Sequence, residues 1–161
     1  MTTVQDVVVE SRPAAGEVLP LLREQAGLYA RLETLANRQR SLVTGDEVGP
    51  LLMLLADRQK LSESLVQIGH RLAPIRRDWS ACRERLEPSQ RVEAERLIGE
   101  ARDRLRRIMQ MDEQDARVLA ARKETAAKTL QAAHSTSQAA QAYRGPRAAA
   151  GRLDCMDEAS Q

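Results

Sequence analysis

The chain has 161 residues, enough for one domain, and a net charge of +2 with both signs mixed along its whole length. It has no phenylalanine, and its only aromatic residues are Tyr29, Trp79 and Tyr143, which argues against a large sheet core or an aromatic-lined small-molecule pocket. The mixed charges argue against a nucleic-acid groove, which needs a face of one sign and, for single strands, interleaved aromatics.

Leu, Ala, Arg, Glu and Gln dominate, the composition of long helices and coiled coils. Cys82 and Cys155 are far apart and form neither a disulfide framework nor a CxxC metal site. Cys82 falls on an apolar stripe and reads as a core residue, and Cys155 reads as a free thiol in a polar tail. Both suit a reducing cytoplasm. No basic-then-apolar leader pattern opens the sequence, and no apolar run nears the about 18 residues of a membrane span. The expectation is a cytoplasmic chain with no stable membrane insertion.

Residues 1–16 begin with the valine run Val7-Val8-Val9, bounded by Ser11-Arg12-Pro13. A lone strand has nothing to pair with, so this reads as a loose arm. A first helix is expected over about 17–43, with Pro20 in its opening turn. Leu21, Leu28, Leu32, Leu35 and Leu42 recur at steps of seven, four and three, as in a coiled-coil seam. Gln25 and Gln39 take the remaining seam positions, either at the rim with packed stems or in a polar layer that fixes register. Gly45 suits a left-handed residue after this helix, and Asp46 can cap the next.

The second helix is expected over about 47–86. Leu54, Arg58, Leu61, Leu65, Ile68, Leu72, Ile75, Trp79, Cys82 and Leu86 alternate steps of four and three. The register passes Pro74 unbroken, which predicts a kink and not a chain reversal. Arg58 is the misfit of this seam and could face Gln or Asp residues on its neighbours.

Pro88 opens a third helix, expected over about 88–143. Its first half carries Leu97, Ile98, Leu105, Ile108 and Met109. Its seam then meets Asp112 and Asp115. Either these pair with Arg58 or another arginine in a polar layer, or the bundle ends near Ile108 and the rest projects into solvent. Beyond that the stripe thins to Leu119, Ala126, Leu130, Ala133, Ala140 and Tyr143, which bury little area by themselves. These six are the candidate partner-binding residues. Residues 144–161 read as a disordered tail.

No catalytic chemistry is legible. His70 and His134 lie on different helices and read as flank residues. There is no phosphate-binding glycine loop, HExxH or GxSxG. Asp112, Glu113 and Asp115 lack the ExxH helices of a di-metal bundle. No catalytic residue, metal or cofactor is assigned. The fold class expected is all-α: an elongated three-helix antiparallel coiled-coil bundle with a long C-terminal helix.

Four stretches carry a resemblance: LLREQAGLYARLETLANRQRSLVTGD, LLADRQKLSESL, LIGEARDRLRRIMQMDEQDARVLAARKE and the closing helix to AAQAYRG. Over roughly residues 17–144 the chain resembles the flagellar hook–filament junction export chaperones, the FlgN-like family. The resemblance implies a non-enzymatic cytoplasmic chaperone. Such a protein binds the terminal helical segments of flagellar hook-associated junction proteins, prevents their premature assembly and delivers them to an export gate component of the flagellar type III system. The family's C-terminal helix is implicated in both contacts, which implies a role for Tyr143. The alternative is a structural or adaptor coiled coil that self-associates, and the long seam of the second helix leaves a homodimer open.

Overall fold

A computed structural model describes the backbone of residues 15–150 and the side chains of residues 16–144. The valine run, Cys155 and most of the expected tail lie outside the described residues. The described residues form four helices: α1 (Ala15–Val43), α2 (Val48–Arg77), α3 (Trp79–Glu84) and α4 (Pro88–Ala150). The chain divides into two units, Met1–Ala116 and Arg117–Gln161.

The all-α expectation is met, but the helix count is not. The segment expected as one helix over 47–86 is α2 and α3, separated at Asp78, whose backbone (φ −129°, ψ 52°) leaves the helical region. The break falls four residues past Pro74, and the amide of Cys82 donates to the Asp78 carbonyl at 3.0 Å to start the next turn. The seam survives the interruption: Leu72, Ile75, Cys82 and Leu86 are all buried. α4 continues to Ala150, past the expected end at 143. Alanines 148–150 are strong helix formers.

The turn after α1 also differs from expectation. Gly45 does not take a positive φ. The chain instead leaves α1 through a tight bond from the Gly45 amide to the Leu42 carbonyl at 3.2 Å, while the Thr44 hydroxyl donates to Ser41 O at 3.0 Å. These satisfy terminal carbonyls without a left-handed residue. Glu47, not Asp46, is the residue before α2.

At the start of α4, Pro88 occupies the first helical position. The side chain of Gln90 reaches back to accept from the Glu87 amide at 3.1 Å, the reciprocal half of a capping box. Arg91 donates to the carbonyls of Leu86 (2.8 Å) and Glu84 (3.0 Å), pinning the α3–α4 turn.

Polar pairs set the helix directions within the first unit. Arg71 meets Glu24 and Arg58 meets Gln39, so α2 runs against α1. Arg23 meets Glu93, Glu33 meets Arg107, and Arg40 meets Gln114, so this part of α4 runs alongside α1 in the same direction. Two apolar clusters lie between the helices. One gathers Val18, Leu22, Ile68, Leu72, Ile75 and Leu97 with Leu86 from the turn. The other is Leu32, Ala36, Leu61 and Ile108. Each fully buried Leu or Ile contributes about 1.5–3 kcal/mol relative to exposure.

A candidate helix-docking surface

Above the second cluster the seam becomes polar. Arg58 donates through Nη1 and Nη2 to both carboxylate oxygens of Asp112, each at 2.7 Å, and through Nη1 to Gln39 Oε1 at 2.5 Å. Gln39 Nε2 donates to Asp115 Oδ2 at 3.0 Å. Gln39 and Asp115 are buried. Of the two readings left open for Asp112 and Asp115, the polar layer is the one observed. Gln39 is the middle of that layer and not a rim residue. The first unit is therefore ordered through Asp115, beyond Ile108. Each member of the layer has a partner, which is what a buried polar group requires. Among the described residues no acidic, histidine or cysteine cluster could hold a metal ion.

Arginine also holds two glutamates ionised, Glu33 and Glu93. The Arg107 guanidinium donates to Glu33 at 2.6 Å, and this bond, against the opposing effect of burial, keeps the Glu33 carboxyl below its ordinary range. Arg23 does the same for Glu93 with two bonds at 2.9 and 3.0 Å.

The six residues expected to bind a partner all lie on α4, in the second unit. Every residue from Ala116 to Arg144 is exposed. Leu119 is 41% exposed, Leu130 72% and Tyr143 77%. Polar side chains of this segment bond within the helix itself. Thr125, Thr129, Ser135 and Thr136 each donate a hydroxyl to the carbonyl four residues back, at 2.9–3.0 Å. Glu124 and Lys128 form an i,i+4 pair at 2.7 Å. The six selected residues follow steps of seven, four and three, so they share one side of the helix and drift slowly around it. His134 and His70 are both exposed, and His134 Nε2 lies 3.0 Å from the Gln138 side-chain nitrogen. Cys82 is buried, as expected of a core residue.

Two features were not found from the sequence. Val48, Leu52 and Leu55 are exposed at 64, 60 and 42%, an apolar stripe on the outer side of α2. Its signal was present as steps of four and three offset from the main seam. The second is a cleft in the first unit of about 480 Å³. It is lined by Gln25 and Tyr29 from α1, Arg76 from α2, Trp79 from α3, and Arg102 and Leu105 from α4. Two of the three aromatic side chains meet there, so sparse aromatics did not exclude a pocket lined by them. Seam periodicity places Trp79 on the inner side, but it does not reveal a gap beside it.

Among the described residues, no helix is long and apolar enough to cross a membrane. No known protein family matches the chain, and no curated protein or solved structure matches it.

Proposed function

We propose that this chain is a cytoplasmic, non-enzymatic export chaperone whose last helix, α4, carries the client-binding stripe. The clients are the terminal helical segments of flagellar hook-associated junction proteins, and the destination is the flagellar type III export gate. The observation that carries this reading is the exposed run from Ala116 to Arg144, an ordered helix with Leu119, Leu130 and Tyr143 open to solvent. A secreted subunit's terminal helix has an apolar face without a partner until it assembles. An open stripe of small residues can receive that face by close helix-to-helix packing. The alanines admit close approach, and the client's larger side chains supply most of the buried area.

The resemblance of residues 17–144 to the FlgN-like chaperones gives the client class. Leu130→Glu tests the site. It should abolish client binding while helix content stays nearly unchanged. If helix content collapses instead, the segment belongs to the protein's own core and the site assignment fails.

The second reading is a structural or adaptor coiled coil that self-associates. The exposed Val48, Leu52 and Leu55 stripe favours it, because heptad-spaced apolar residues on an outer face suit pairing between copies. The charged variants Leu52→Glu and Leu55→Glu should shift a dimer to monomer under that reading and leave client binding untouched under the first.

A further inference from the structure

The cleft in the first unit has the makings of a ligand site independent of the α4 stripe. Its volume, about 480 Å³, falls within the usual range for small-molecule sites. Leu72 and Ile75, at 0 and 1% exposure, form its floor. Tyr29 and Trp79 stand half-buried beside them, and Leu105 is 39% exposed.

Three polar side chains line this apolar space. Gln25 is only 5% exposed, and it lines the cleft from α1. Arg76 and Arg102 stand exposed at the rim, from α2 and α4, and neither makes an ion pair among the described residues.

We propose that this cleft binds a small amphipathic carboxylate. Its chain lies against Tyr29, Trp79 and Leu105, and its head group lies at the Arg76 and Arg102 rim. The charge of the rim selects an anion, since a guanidinium donates to a carboxylate and repels an ammonium. The size of the cleft selects a small molecule over a partner helix. The lining residues span 22–29 on α1, 72–79 on α2 and α3, and 98–105 on α4, about 10 Å along each. That is two helical turns, short for an amphipathic helix anchored over three or more.

The test uses the full chain and decanoate below its micelle-forming concentration. Trp79 is the only tryptophan, so its emission reports on this cleft alone. Decanoate should saturate at one per chain in calorimetry and shift Trp79 emission in the same range. Decyltrimethylammonium, with the same chain and the opposite charge, should bind at least about tenfold more weakly. The double variant Arg76→Gln/Arg102→Gln changes two exposed, unpaired side chains, so the fold is retained, and decanoate should bind about tenfold more weakly. Leu130→Glu should bind decanoate normally, since Leu130 is in the other unit. Equal binding of the cation, unchanged decanoate binding in the double variant, loss of binding in Leu130→Glu, or no binding at about 1 mM would each overturn the proposal. None of these outcomes depends on client binding by α4.

Discussion

The polar layer predicts an asymmetry between its two charged partners. Arg58 is 13% exposed at its side chain and Asp112 is 42% exposed. Removing one partner of a buried ion pair costs about 3–5 kcal/mol, while a fully exposed pair is worth about 0–1 kcal/mol. Asp112→Ala leaves a nearly buried guanidinium whose remaining partner is Gln39 Oε1. That variant should lose about 2–3 kcal/mol, between the exposed and the buried ranges, because Asp112 itself touches solvent. Arg58→Leu leaves Asp112 free to hydrate and strands only the neutral Gln39 oxygen, so it should lose about 1 kcal/mol. The double variant Arg58→Leu/Asp112→Ala should lie close to Arg58→Leu alone, since no cation is left to strand. Alanine's better helix propensity at position 112 works against the predicted order by about 0.5 kcal/mol, so the true asymmetry is larger than the measured one. Urea unfolding followed by Trp79 emission reads the first unit alone. If Arg58→Leu destabilises as much as Asp112→Ala, the burial argument for this layer is wrong.

Further outcomes follow from the same unit. Leu72→Ala, at a fully buried position against Ile68 and Ile75, should cost about 2–5 kcal/mol in the same urea assay. Glu33 and Glu93 have folded carboxyl pKa values below the ordinary 4.5, through bonds from Arg107 and Arg23. Their contribution is therefore complete above the unfolded value and is lost as pH falls through the folded one. Thermal melts should show stability falling below about pH 4.5, and Glu33→Gln should flatten part of that fall. A melting temperature insensitive to acid in the parent chain would refute the assignment. Leu130→Glu should leave the melting temperature of the first unit unchanged, since residue 130 is 72% exposed.

Much of the fold was written in apolar spacing. The steps through Leu54, Leu61, Ile68, Leu72, Ile75, Cys82 and Leu86 placed the inner side of α2 and α3, and all seven are buried. The misfits of that spacing were informative too. Arg58, Gln39, Asp112 and Asp115 fell at seam positions on three helices, and they bond to one another. Spacing could not place the interruption at Asp78, because a break that keeps register leaves no mark on a heptad pattern. Nor could it show the cleft beside Trp79. A gap depends on how far side chains on three helices reach toward each other, and no single helix encodes that distance. The α4 stripe was legible as a fading of large residues, and its exposure follows from that fading.

The central claim is that the exposed stripe of α4 receives a client helix. Calorimetric titration of the full chain with the C-terminal helical segment of a hook-junction protein from the same genome tests it most directly. The account predicts a one-to-one isotherm whose heat-capacity change is negative, the mark of apolar burial. No heat at tens of micromolar, together with a stable homodimer by light scattering, would contradict it and favour the self-associating coiled coil.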